Sequence, residues 1–195
     1  MFLIITLSAL AGPCDDASSR ACVESAVDQV LAGDEAGAEQ LHDACKAGAS
    51  EACFHRGVYA LALGKDLEFV FDEAGHAALA AKCRAGTGAA CYHLAALHER
   101  GPMDWRDQSQ ASMFYRQACG AGDARGCHAQ ATAYAAGGSK AGVQKATGLY
   151  SQACHDLDFV ASCRSLAEIS ASSDPAAAKE ARDRACALGD KESCG

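Results

Sequence analysis

Twelve cysteines in 195 residues fall into six close pairs, and this spacing constrains the fold more than any other feature of the chain. Taken by proximity, the pairs are Cys14/Cys22, Cys45/Cys53, Cys83/Cys91, Cys119/Cys127, Cys154/Cys163 and Cys186/Cys194; five are spaced by eight residues and one by nine. They recur every 31 to 38 residues, the period of stacked helix-turn-helix units. The stretch Ala118 to Cys127 shows the pattern A-C-x-x-G-x-x-x-x-C in full. A cysteine sits in the last turn of one helix, a glycine stands where that helix turns left-handed, and a second cysteine lies just inside the next helix. Each pair therefore predicts two antiparallel helices joined by a hinge with a disulfide across it.

Cross-links are needed, because the core-forming residues are sparse. Leu, Ile, Val and Phe supply about 16 % of the chain, and the net charge is -8, a balance that without staples would point toward disorder. Alanine carries much of the apolar content, which predicts helices packed closely through small side chains. The repeating offsets agree. Four residues after the second cysteine of a pair stand Ala26, Gly57, Ala95, Ala131 and Ala167; eight before the first stand Gly37, Gly75, Ala111, Ala146 and Ala178. Four before the first stand Leu41, Leu79, Tyr115 and Tyr150 on the expected buried stripe, then Arg182, which marks the last unit as an exposed cap.

Hinge glycines are present as Gly48, Gly86, Gly122 and Gly189. After Cys154 the equivalent place falls on Leu157, and this is the hinge that stretches to nine, as a turn without glycine needs an extra residue to reverse the chain. Asp123, Asp158 and Asp174 are expected N-caps, the last followed by Pro175. The predicted helices are 17–32, 35–47, 50–63, 72–85, 88–100, 106–120, 124–136, 142–155, 159–171 and 175–187.

Residues 1–12 read as an export segment, apolar from Met1 to Ala11 and ending in Ala9-Leu10-Ala11, a small-x-small pattern suited to signal-peptidase cleavage. It lacks Lys or Arg before the apolar run, which leaves open a start further upstream or a mis-assigned first codon. Leu10 to Cys14 also approaches a lipoprotein box, but Pro13 stands where a small residue belongs. About ten apolar residues are too few to span a bilayer, so residues 13–195 are expected to form one soluble array, without stable membrane insertion.

From Ala118 to Cys154 the chain carries A-C-x-x-G-D-x-x-G-C, then Tyr134, Gly137, Val143, Lys145-Ala146, Tyr150 and Ala153-Cys154. This pattern resembles the Sel-one-like repeat, a relative of the tetratricopeptide repeat, and its cysteine-bearing form resembles the Helicobacter cysteine-rich proteins. It departs where Leu-Gly is reduced to Leu94-Ala95 and Leu166-Ala167. The resemblance covers about residues 13–195 and implies an all-α fold, an α/α solenoid of about five helix pairs with one disulfide per hinge, acting as a secreted or periplasmic scaffold for a protein or peptide partner. Two alternatives come with it: β-lactam binding or weak β-lactamase-like activity, and an assembly factor of the mitochondrial intermembrane space.

Enzymatic and metal motifs are lacking. No C-x-x-C zinc knuckle occurs, and His55, His93, His128 and His155 lie one or two residues from a cysteine, where helical neighbours diverge by about 100° or 200°. Ser-x-x-Lys and Lys-Thr-Gly are missing; Lys145-Ala146-Thr147-Gly148 is a near-match inside a repeat helix. No cofactor is implied, and the acidic balance without any basic run argues against nucleic acid. The expected site is instead a groove along the first helices of successive pairs, lined by His55, Tyr59, His93, His98, Arg125, His128 and Tyr134, of which Tyr59 and Tyr134 suit inter-helix packing better than a groove role. Trp105, beside Met103, is either a binding anchor or a residue folded back on the adjacent hinge.

Overall fold

Helix-forming runs punctuated by glycine become helices punctuated by turns. The computed structural model describes residues 19–65 and 70–195. The export segment, Cys14 of the expected Cys14/Cys22 pair and part of the Gly64–Phe71 connection lie outside the described residues. Among the described residues there are ten α-helices and no strand: α1 (Arg20–Leu31), α2 (Glu35–Lys46), α3 (Ser50–Ala62), α4 (Glu73–Arg84), α5 (Gly88–Arg100), α6 (Gln108–Gly120), α7 (Ala124–Ala136), α8 (Lys140–Ser151), α9 (Val160–Ser170) and α10 (Pro175–Ala187). They stand where the sequence predicts them, with ends shifted by about a turn at most. Each helix packs on the next in sequence, and α3 also packs on α5.

Small residues let the helix pairs approach. Ala26, Ala95, Ala131 and Ala167 are buried, as are Ala111, Ala146 and Ala178. At Gly37 a Cβ would lie 2.6 Å from the Ala26 carbonyl oxygen, and at Gly75 it would lie 2.7 Å from the Phe54 ring, so neither position admits a side chain without moving its neighbour. Leu41, Leu79, Tyr115 and Tyr150 fill the space beside these crossings, whereas Arg182 is exposed. Asp72 caps α4 by accepting from Gly75 N at 2.7 Å, and its other oxygen accepts from Ser50 Oγ at 2.7 Å. The start of α4 is thereby tied to the start of α3 across the long connection.

Among the described residues five disulfides close hinges: Cys45–Cys53, Cys83–Cys91, Cys119–Cys127, Cys154–Cys163 and Cys186–Cys194, with Cα atoms 4.6, 4.7, 4.5, 4.7 and 5.0 Å apart. In four of them a glycine is left-handed, with φ of +97° at Gly48, +92° at Gly86, +82° at Gly122 and +99° at Gly189. The amide after each glycine reaches back five residues, as Asp123 N does to Ala118 O at 2.9 Å, closing the helix end.

The remaining hinge corrects one expectation. Leu157, at the place of the hinge glycines, is not left-handed; its φ is −121°. Helix α8 gives way to a π-helical turn, Gln152–Asp156, whose wider winding takes up the extra residue. The left-handed residue is Asp158, φ +54°, alone among the described non-glycine residues in having positive φ. Asp158 is therefore not the N-cap of α9. Phe159 holds that place, without a side-chain cap, and its amide reaches back six residues to Ala153 O at 2.9 Å. Asp123 and Asp174 do cap, accepting from Arg125 N and Ala177 N.

Candidate functional site

The residues expected in one groove are divided among separate places. His55 and His93 are core residues, 5 % and 3 % exposed, not groove residues. Both follow the second cysteine of a hinge by two positions, on helices that are buried on several sides: α3 is flanked by α2, α4 and α5, and α5 by α3, α4 and α6. Burial lowers both imidazoles, to about 4 for His55 and about 3 for His93, so each is neutral at physiological pH. The ring of Tyr59 lies 5.9 Å from that of His93, and Tyr59 is half-buried.

Next to this core Arg125 is held in one geometry. Its Nε donates to Asp123 Oδ1 at 3.0 Å and its Nη2 to Asp123 Oδ2 at 2.6 Å, while its guanidinium lies 4.4 Å from the centre of the Tyr92 ring. The arrangement joins the hinge before α7 to α5 and leaves the cation half-exposed. Its charge is already matched by Asp123, so it positions the helices more than it offers a free cation.

Trp105, on a short 3₁₀ turn (Met103–Trp105), folds back rather than standing free. Its ring stacks on Phe71 at 4.2 Å and lies 5.6 Å from His76. His98 joins this group: its ring stacks on Phe114 at 5.5 Å, and its Nδ1 lies 3.1 Å from the Trp105 carbonyl oxygen. Met103 is the most open large apolar side chain among the described residues, 82 % exposed. Burial, and secondarily His98, lowers the His76 imidazole.

His128 stands apart from these. Its Nδ1 is 3.0 Å from Ser162 Oγ, and its ring lies against Tyr150 and Phe159. A serine beside a histidine invites comparison with a nucleophile and its base, but Ser162 is fully enclosed. The pair joins α7 to α9 without presenting the hydroxyl to a substrate. Burial lowers the His128 imidazole as well. No group of three or more His, Cys, Asp or Glu side chains placed to hold a metal occurs among the described residues.

Tyr134 is 41 % exposed and borders a hollow of about 300 Å³ between α6 and α7, shared with Tyr115, Arg116, Gln108 and Gln130. Glu99, on the rim, accepts from Tyr115 Oη at 2.7 Å, and burial, then this bond, raises the phenol above its ordinary value. A second hollow, about 210 Å³, is lined by Leu61, Gly64, Lys65, Arg100 and Arg106 and again by Glu99. Sequence reasoning missed Lys65, Arg100, Arg106 and Arg116, because they are scattered singly along the chain and only the fold brings them to one surface. No protein-family model matches the chain, and no curated protein matches it.

No helix of the described residues is long and apolar enough to cross a membrane, and five closed disulfides suit an oxidising compartment.

Proposed function

We propose that this protein is an exported scaffold of Sel-one-like repeats, secreted or periplasmic, whose consecutive helix pairs form a solenoid that binds a protein or peptide partner. The observation that carries this reading is the run of helix pairs, each packed on the next and each hinge fixed by its own disulfide. Clamped hinges preset the spacing of surface side chains, which lowers the ordering cost of binding an extended partner. The side chains at the helix crossings are small and spent on packing, so recognition falls to the polar and aromatic residues at the helix ends and turns.

Cross-linking followed by affinity capture from the native compartment tests the reading. A saturable partner retained by the oxidised protein and lost after reduction supports it. A protein that captures nothing yet hydrolyses a chromogenic β-lactam is an enzyme, and the scaffold reading fails. A tagged protein found in the mitochondrial intermembrane space overturns the exported location.

A further inference from the structure

The two hollows that share Glu99 are together richer in basic side chains than three others on the described residues. Lys65, Arg100, Arg106 and Arg116 line them against one carboxylate, Glu99, in a chain whose net charge is -8. Three other hollows hold at least as many carboxylates as basic side chains: Arg164 and Arg182 face Glu168 and Glu192, Arg106 is joined by Asp104 and Asp107, and Arg164 also faces Asp158 and Glu168. Among these five hollows of the described residues, basic side chains outnumber carboxylates only in the two that share Glu99, taken together.

Two of the guanidiniums are held in place: Arg100 Nε lies 3.3 Å from Glu99 Oε2, and Arg106 Nε donates to the Gly101 carbonyl oxygen at 2.7 Å. A guanidinium fixed through Nε keeps its outer nitrogens for a carboxylate. The aromatic faces of Tyr115 and Tyr134 and the methyls of Ala129 and Ala133 give the second hollow an apolar lining for side-chain stems.

We infer that these two hollows, which share Glu99 on their rims, bind an acidic peptide segment of a partner protein, with its carboxylates toward Lys65, Arg100 and Arg106 in one and Arg116 in the other. This assignment rests on the scaffold reading and gives it a site and a ligand class. In a chain of net charge -8 such binding depends on these few cations and weakens as salt rises.

Fluorescein-labelled hexaglutamate is the probe, with hexalysine and hexaglutamine as controls, measured by anisotropy on the oxidised full chain. Hexaglutamate is expected to bind in preference to both. The Lys65→Ala/Arg116→Ala variant, altered at two exposed positions, should weaken it about tenfold, as two half-screened ion pairs together allow, while Glu99→Gln strengthens it; far-UV circular dichroism checks that both variants keep their helices. Equal binding of hexaglutamine, or an unchanged affinity in the double variant, overturns the site. Displacement by inorganic phosphate beyond that of chloride at matched ionic strength makes it a small-anion pocket and overturns the peptide assignment. A captured native partner that binds the double variant undiminished refutes the site and leaves the scaffold standing, whereas failure of all capture refutes the scaffold reading.

Discussion

The hinge at Gly122 and the hinge at Asp158 bring two cysteine Cα atoms to nearly the same separation, 4.5 and 4.7 Å, by different routes. At Gly122 an α-helix ends, one glycine turns left-handed, and the next amide closes back over five residues. At Asp158 the helix first widens into a π turn, an aspartate takes the left-handed place, and the amide closes over six. What stays constant is the distance to be stapled and the need for one left-handed residue. The offset from the cysteine is free to change. Asp158 also forms an ion pair with Arg184 of α10, so a residue with an unfavourable φ makes a contact that glycine lacks.

The comparison can be broken most strongly at the staples. Closing a loop of about nine or ten residues constrains the unfolded chain by roughly 2.6 kcal/mol, with almost no dependence on the one-residue difference. Cys119→Ser/Cys127→Ser and Cys154→Ser/Cys163→Ser should therefore lower unfolding stability by similar amounts in urea titrations. A much smaller loss at the second site would mean that the π turn holds the hinge without its disulfide.

Acid separates the early hinges from the late ones. Two residues after the second cysteine stand His55 and His93, then Ala129 and Ser165. The two histidines are neutral in the folded protein, at about 4 and about 3, and take up protons near 6.5 once unfolded. Their stabilisation is fully present above pH 6.5 and is lost as pH falls toward those folded values, at up to about 1.4 kcal/mol per pH unit for each. By pH 5 the loss reaches roughly 2 kcal/mol per histidine. Hydrogen exchange should show α3 and α5 losing protection before α10, which carries no histidine, and His55→Leu/His93→Leu should flatten the slope.

The smallest effects have opposite signs. Gly122→Ala adds a Cβ that meets nothing within 4 Å, so its cost is the left-handed backbone alone, about 1 kcal/mol. Asp158→Gly removes that backbone cost and gives up only a half-exposed ion pair, which is worth little. A net gain of a few tenths of a kcal/mol to about 1 kcal/mol is expected in thermal unfolding. A loss would show that the Arg184 contact outweighs the strain.

Helix positions and hinges were legible because glycine, alanine and cysteine recur at fixed offsets, each with a backbone reason for being there. The place of Asp158 was not, since aspartate before an aromatic reads equally as a cap. His55 and His93 were misread as surface because imidazole is polar. The signal against that lay in their neighbours: Phe54, Val58 and Leu61 around one and Leu94 to Leu97 around the other make helices apolar on several faces, as buried helices are. The basic hollows had no signal along the chain at all, because Lys65 and Arg116 come from turns and helices fifty-one positions apart that only packing brings together.

Mapping the disulfides of the oxidised protein by mass spectrometry after proteolysis under non-reducing conditions tests the central claim most directly, that each hinge is closed by its own local staple. The account predicts Cys45 with Cys53, Cys83 with Cys91, Cys119 with Cys127, Cys154 with Cys163 and Cys186 with Cys194, the sequence pattern adds Cys14 with Cys22, and no thiol is left to alkylate. A peptide linking two hinges, such as Cys91 to Cys119, would contradict it.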